Sequence, residues 1–329
     1  MKIAVTANSP SGNNRWESEF YSDNVLGTAE QINKTLQELG YSTELILVGK
    51  DLSDFISRIN LFKPDAIFNL CETIEGKSGL EPAVPHLMRW LGIPFTGNSP
   101  EALTICLNKP LSKTLLRAYN FLTPDFLTLE HISEVEGWNK WPAIMKPAFE
   151  DASLGIDEGS VVSSLVQAKE RFTFLQEKFN GPVLIEDFID GREINAAVFE
   201  TKDGLRVGLN EIDFSGLTHG KPKIVTYEAK WVENSEYFKG TPVKSPAQVD
   251  EPLNTEIRQI AKDVFHRFKL SGYARIDFRI TKNRAFILEM NPNPDLSIDA
   301  GMAKSFKEMG LTWHQALKAI IETAMIRKY

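Results

Sequence analysis

Residues 272–291 read GYARIDFRITKNRAFILEMN. Apolar side chains fall at every second position, at Ala274, Ile276, Phe278 and Ile280 and again at Phe286, Leu288 and Met290. That period matches a pleated strand with one face turned to a core. The polar TKNR run between the halves supplies turn residues, so the segment is expected to be a β-hairpin. A turn centred on Asn283 sets Asp277 opposite Glu289 on the other face, with Arg275 and Asn291 beside them. Like charges directly across a strand pair destabilise it. Hard divalent cations held by carboxylate and amide oxygens turn the same arrangement to use. Asn291 then offers a third oxygen, and Arg275 suits a substrate or intermediate that carries phosphate oxygens. A merely solvated face is the plainer explanation of such a hairpin, and the rest of the chain has to decide between the two.

At 329 residues the chain is too long for one simple core, which implies about two or three domains. Its apolar content of 42% is that of an ordinary globular protein. A net charge of -7, a pI near 5.5 and no long basic run argue against nucleic acid as the main partner. Cys71 and Cys106 are too few for a disulfide framework and form no CxxC pair, so they read as reduced core residues of a cytoplasmic protein. The opening MKIAVTANSPSGNN has too short an apolar run for a signal peptide, and no later run has the length of a bilayer span. His86, His131, His219, His266 and His314 are scattered without metal-ligand spacing, which speaks against a zinc site.

The first hundred residues alternate strand and helix patterns. A β-branched run at 2–7 precedes a helical stripe of Val25, Ala29, Ile32, Leu36 and Leu39, stopped by Gly40. Strand 43–48 follows, then a stripe of Leu52, Phe55, Ile56, Ile59 and Phe62, then the apolar strand 65–70. Such alternation predicts a parallel sheet covered on both faces. No GxGxxG fingerprint occurs, which weakens a dinucleotide-dependent redox reading. The loop 8–24 lies at the carboxyl end of a strand, where ligands bind in such sheets, and offers Arg15, Glu17, Glu19 and Tyr21. Glu72 and Glu75 end another strand at that edge.

Between 97 and 124 a helix is expected on Leu103, Leu107, Leu111, Leu115 and Leu116, with Lys109 near its middle and Pro110 arguing for a break or a new start there. WPAIMKP, 141–147, reads as a strand ending at Lys146 beside the small-residue loop AFEDASLGID, one way to hold phosphate, although a lone lysine is more often surface charge. Strands are expected at 183–186 and 193–199 around a bend at Asp190 and Gly191. The segments 209–214 and 224–231 follow, separated by a polar stretch around His219. A helix over 254–269 buries Ile257, Ile260, Ala261, Val264 and Phe268 and delivers the chain to the hairpin, and a last helix covers 313–326 with Ala316, Leu317, Ile320 and Ala324 inward.

In this order the elements resemble the ATP-grasp ligases, and within them the D-alanine–D-alanine ligase group. The motifs are FNLCE at 68–72, GIPFTG at 92–97, Asn108-Lys109, IMKP around Lys146, IEDFIDGRE at 185–193, YEAKW at 227–231, and GYARIDF followed by LEMNPNP. Each is weak alone, but their common order over nearly the whole chain is not. The resemblance implies an ATP-grasp architecture of α/β and α+β class. An N-terminal parallel-sheet domain (1–108) precedes a central lobe (109–192) and a C-terminal lobe (193–329), with ATP held between the lobes. It implies that Lys109 and Lys146 contact nucleotide phosphates, Glu186 and Ile189 the adenine, Glu193 the ribose hydroxyls and Lys230 the terminal phosphate. Asp277, Glu289 and Asn291 correspond to ligands of two magnesium ions, for which manganese can substitute, and Arg275 to the arginine that stabilises the acyl phosphate. It also implies a carboxylate and an amine as small-molecule substrates, and a homodimer through the first domain. Residues 150–158 and 215–242 are the expected lid.

The substrate half departs from the family pattern. In the D-alanine ligases a first-loop glutamate holds the first substrate's amino group, and a serine and a tyrosine link it to the lid. Here the serine position is Ala152, with Ser153 kept beside it and assigned to the catalytic set with Arg275 and Lys230, and the tyrosine position is Trp231. Glu17 or Glu19 would have to stand for the glutamate. Glu72 replaces a histidine, Asp295 a glycine, and Ala300 a small polar residue. Three activities remain open on this pattern: a ligase of another acid and amine, which the departures favour, a true D-alanine–D-alanine ligase, and a phosphotransferase acting on a hydroxyl. A nucleotide-binding protein without turnover fits the retained metal ligands least.

Overall fold

The computed structural model describes residues 1–9 and 19–327, except for the side chains of 19–24. Arg15 and Glu17 therefore lie outside the described residues, as do the side chains of Glu19 and Tyr21. β1 (Lys2–Asn8) is apolar on both faces and buries Ile3, Ala4, Val5 and Ala7. α1 (Glu19–Glu38) begins inside the segment expected to be loop and buries Val25, Ala29, Ile32 and Leu36. Leu39 lies past its end and is exposed, because Gly40 takes a positive φ of 87° and turns the chain away. β2 (Ser42–Val48), α2 (Leu52–Phe62) and β3 (Ala66–Asn69) complete a parallel sheet of order β2-β1-β3. Asp51 caps α2 by accepting from the N–H groups of Ser53 and Asp54, and Leu52 in its first turn is exposed.

After α3 (Ala83–Trp90), the helical stretch breaks where Pro110 argued for a new start, giving α4 (Pro100–Leu107) and α5 (Lys109–Ala118). Asn108 caps α5 by accepting from Leu111 N–H, with Pro110 in the first turn, so the helix starts afresh. The restart changes its phase. Its buried face is Lys109, Ser112, Lys113 and Leu116, and Leu111 is exposed.

β4 (Phe126–Leu129), β5 (Ala143–Pro147), β6 (Val161–Val162) and, after α6 (Leu165–Phe179), β7 (Val183–Asp187) form an antiparallel sheet of order β4-β7-β5-β6. α6 packs Ala168, Phe172 and Leu175 against it.

β8 (Arg192–Thr201) and β9 (Gly204–Ile212) open the third sheet, followed by α7 (Tyr227–Trp231), α8 (Glu236–Gly240), β10 (Val243–Lys244), α9 (Leu253–Arg267), β11 (Tyr273–Ile280) and β12 (Ala285–Asn291). Its order is β10-β9-β8-β11-β12. α9 packs Ile257, Ala261, Val264 and Phe265 under it. At the bend before β8, a Cβ on Gly191 would stand 2.2 Å from the Ile280 carbonyl oxygen, so only glycine fits there. α10 (Gly301–Glu308) and α11 (Trp313–Ile326) close the chain, α11 burying Ala316, Leu317, Ile320 and Ala324 against α1 and β3.

The hairpin forms, with Arg275 opposite Asn291 and Asp277 opposite Glu289 as expected, but Ile280 pairs with Ala285, so the turn is centred between Lys282 and Asn283 and not on Asn283. Its alternation does not run through. A bulge pairs Phe278 with Ile287, which makes Leu288 the extra residue. The core side of β12 is therefore Ala285, Ile287 and Met290, while Phe286 and Leu288 are only half-buried, contrary to the simple period.

Candidate active site

A cavity of about 360 Å³ opens between the second and third sheets and is also bordered by Glu72 from the first. Across its floor Glu289, Asp277, Asn195 and Asn210 stand opposite one another on β12, β11, β8 and β9. Asp277 is 4% exposed. Arg275 donates to it twice, at 2.6 and 2.7 Å, and Asn195 Nδ2 donates at 2.9 Å. Burial opposes the Arg275 charge, but Asp277 outweighs it and raises the guanidinium pKa. Burial likewise favours neutral Glu289, yet Lys109, Lys146, Lys230 and Arg275 together hold its carboxyl down to about 2. The two facing carboxylates thus sit in a field of cations, Asp277 buried and Glu289 half-buried.

Next along the sheet, Glu193 is 8% exposed and pairs with Arg279 at 3.0 Å. Burial raises its pKa in spite of Arg279. The sequence had offered Glu193 to a ribose and had not suggested a partner.

Glu186 lies on β7 and lines the cavity, but both of its oxygens are taken, by Lys146 at 2.6 Å and by Lys113 at 2.5 Å. Its side chain is thus engaged with two ammonium groups and not presented to a base, while the neighbouring Asp187, Phe188 and Ile189 also line the cavity. Burial opposes charge on all three partners. It lowers the pKa of Lys113, whereas Glu186 and Glu289 outweigh it at Lys146 and raise that pKa, and the two ammonium groups outweigh it at Glu186 and lower that one. Sequence reading missed Lys113; counting the helical phase afresh from the start at Asn108 and Pro110 puts it on the buried stripe with Lys109. Lys109 itself is buried, donates to the Glu150 carbonyl and reaches the cavity only through its charge on Glu289.

The two expected lid segments meet each other. Ser153 Oγ donates to the Val225 carbonyl at 3.0 Å, Trp231 Nε1 to the Ala152 carbonyl at 3.2 Å, and Tyr227 N–H to the Ile156 carbonyl at 3.0 Å. Lys221 adds ion pairs to Glu158 at 2.5 Å and Glu236 at 2.9 Å. Ala152 and Ser153 hold positive φ of 53° and 60°, which folds the loop under the lid. Lys230 and Trp231, on α7, both line the cavity. Asp295 lines it too, but is exposed and accepts from Ser297 N–H and Oγ, both at 2.8 Å.

Among the described residues no three His, Cys, Asp or Glu side chains gather as a metal site by themselves. The hairpin donors nevertheless fit magnesium, which takes one or two carboxylates and completes its shell with water and phosphate oxygens. The cations around Glu289 favour its charged form, Asn291 offers Oδ1, which already accepts from Asn293 N–H at 2.8 Å and keeps a second lone pair, and Asp277 would be free to join them only with Arg275 turned to another anion. Both cysteines are buried and unpaired, as expected. Among the described residues no helix is long and apolar enough to cross a membrane.

Three comparisons bear on this site. The family model described as D-ala D-ala ligase C-terminus matches residues 115–322. The uncharacterized protein y4sG of Sinorhizobium fredii is 28% identical over 100% of this chain and 98% of its own length. The D-alanine–D-alanine ligase of Aquifex aeolicus is 28% identical over 90% of this chain and 94% of its own. In fold, the crystal structure of D-alanine–D-alanine ligase from Bacillus anthracis complexed with ATP superposes with a TM-score of 0.74 at 21% identity, covering 99% of this chain and 97% of that one. The ordered motifs, the three sheets and these likenesses agree, and the chain belongs to the D-ala D-ala ligase family of ATP-grasp, ATP-dependent, C–N bond-forming ligases.

Proposed function

We propose that this chain activates a small carboxylic acid with ATP and magnesium and joins it to an amine, and that acid and amine are not both D-alanine. The observation that carries the reading is that Lys146, Lys230 and Arg275 line the cavity together with Glu289, with the charge of Lys109 acting on Glu289 from outside it. In this reading residues 1–108, 109–192 and 193–329 are the three domains of a cytoplasmic homodimer.

An oxygen of the acid attacks the terminal phosphorus of ATP, and ADP leaves. The amine nitrogen then attacks the acyl carbon of the resulting acyl phosphate, and phosphate leaves. Neither step needs a covalent bond to the protein, so catalysis is alignment and neutralisation of charge. Bound magnesium, as one or two ions or replaced by manganese, would supply positive charge beside the phosphate oxygens, held by Asp277, Glu289 and Asn291. Lys109 and Lys146 hold the phosphates of the nucleotide and Lys230 the terminal one. Arg275 leaves Asp277 for the acyl phosphate, and Ser153 keeps the phosphate loop against the lid. Ile189 and the backbone beside Glu186 receive the adenine, and Glu193 turns from Arg279 to the ribose. The closed lid excludes the water that would hydrolyse the intermediate.

The substrate half rests on the latch. Trp231 and Ala152 are joined through a backbone carbonyl, so neither offers the side-chain hydroxyl that the D-alanine ligases use in linking substrate to lid. Asp295 is engaged with Ser297, and Ala300 has no hydroxyl. Each buried polar partner lost costs about 1–3 kcal/mol, which disfavours D-alanine as the preferred acid. Glu72, or Glu17 or Glu19 of the first loop, would meet the acid's own polar group. The test is ADP release by the purified protein with ATP, magnesium and a panel of D- and L-amino acids and other carboxylates, each with and without an amine. ADP and an amide are expected only when both partners are present, with the D-alanine pair slower than the best pair. A D-alanine pair that is fastest sinks the substrate half, and phosphate transferred to a hydroxyl sinks the ligase half.

A further inference from the structure

The bulge in β12 decides where the proposed metal ligands point. Ala285 and Ile287 are buried in the core beneath the sheet, so strict alternation would carry Glu289 and Asn291 into that core as well. The extra residue, Leu288, reverses the phase and turns Glu289 and Asn291 to the cavity, while Met290 returns to the core.

What fixes the bulge lies outside the sheet. β12 is an edge strand, and the outward polar groups of Ile287 are taken by the segment that follows α5. Ile287 N–H donates to the Leu122 carbonyl at 2.8 Å, and its carbonyl accepts from Thr123 Oγ1 at 2.7 Å. Thr123 is 6% exposed, and Lys113 Nζ donates to the same Oγ1 at 3.0 Å. An ammonium group cannot accept, so the hydroxyl proton of Thr123 has to point to Ile287. Lys113 is anchored in turn by Glu186, whose other oxygen holds Lys146. A continuous run of contacts, ionic as far as Lys113 and ending in the Thr123 hydroxyl, therefore joins Lys146 of β5 to Ile287, the residue just before the bulge.

We infer that Thr123 is a positioning residue for Glu289 and Asn291, and that through Lys113 and Glu186 it makes their aim depend on the nucleotide side of the cleft. The inference rests on the assignment of Glu289 and Asn291 as magnesium ligands. Its consequence is that removing the Thr123 hydroxyl weakens the metal-dependent part of nucleotide binding and spares the metal-free part, because Thr123 does not line the cavity and Lys146 keeps its own pair with Glu186.

The experiment is calorimetric titration of the full chain with ADP, once with magnesium and once with EDTA. Thr123→Val should cut the tightening that magnesium gives by about tenfold while leaving the EDTA value within about twofold of wild type, and Thr123→Ser should restore both. If Thr123→Val does not fold, as judged by its melting curve, Thr123→Ala takes its place, since it leaves room for a water beside Lys113 and Ile287. Wild-type behaviour of the variant with magnesium, or equal loss in the two titrations, overturns the inference. Glu289→Gln is run alongside. If it loses the magnesium effect while Thr123→Val keeps it, only the role of Thr123 falls, whereas magnesium tightening that survives in Glu289→Gln brings down the metal assignment and this inference together.

Discussion

Glu186 holds two ammonium groups at once, so its loss strands more charge than one broken contact would suggest. Glu186→Gln keeps the shape but leaves Lys113 and Lys146 buried without the carboxylate that pairs them directly. Breaking a buried pair in this way costs about 3–5 kcal/mol, and urea unfolding should register a loss of that order. A loss below about 1 kcal/mol, the worth of a surface pair, would contradict the buried triad. Glu81 works in the opposite sense. It is 4% exposed and accepts from Asn293 Nδ2 at 3.0 Å, and burial, then Glu72 and Asp151, push its pKa well above the usual carboxylate value. A carboxyl raised on folding contributes stability that is complete below its unfolded pKa of about 4.3 and is lost as pH rises through the folded value. Glu81→Gln keeps the acceptor and cannot ionise. Its unfolding free energy should match wild type near pH 4 and exceed it near pH 8; parallel pH curves would refute the assignment. Neither Lys113 nor Glu81 was legible in the sequence, because nothing in their spacing marks a polar residue whose partners arrive from other elements.

At the scale of elements, lid and phosphate loop carry the next expectation. α7 is capped by Thr226, whose Oγ1 accepts from Ala229 N–H, and it delivers Trp231 to the Ala152 carbonyl. Trp231→Phe keeps the aromatic bulk and removes that donor. The ratio of ADP released to amide formed should rise severalfold as water reaches the acyl phosphate, while the melting temperature moves little. An unchanged ratio would mean that the indole N–H does not hold the lid. The elements themselves were largely legible: the hairpin, the strand ending at Lys146, and the last helix, whose bounds of Trp313–Ile326 were read directly. Two phases were not. The new start near Pro110 was read, but not the change of phase that Asn108 sets with it, and a bulge at Leu288 interrupts a strand that looked regular. In both places a single local event shifts every side chain after it, which a period fitted over the whole segment averages away.

For the molecule as a whole, Asn98 is the joint between the first sheet's domain and the hairpin. It is 3% exposed; its Nδ2 donates to the carbonyls of Tyr273 at 2.8 Å and Pro292 at 2.6 Å, and its Oδ1 accepts from Ser271 N–H at 2.7 Å. Asn98→Ala leaves three backbone groups without that partner, and a stability loss of about 2–4 kcal/mol is expected in urea unfolding. The same variant should weaken nucleotide binding, since Asn291 and Asn293 follow directly on the strand that Asn98 anchors; intact stability and affinity together would show the joint to be incidental. The sequence by itself determined the order of the elements, the parallel first sheet and the hairpin, because hydrophobic period and turn chemistry are local and survive without any knowledge of neighbours, whereas the facing of Asp277 and Glu289 is completed by the bulge at Leu288. Only the tertiary structure decided that Glu186 belongs to two lysines, that Trp231 closes on a backbone carbonyl, and that Thr123 stands behind β12. Those facts depend on groups distant in sequence meeting in a buried place, where the loss of water makes each pairing compulsory.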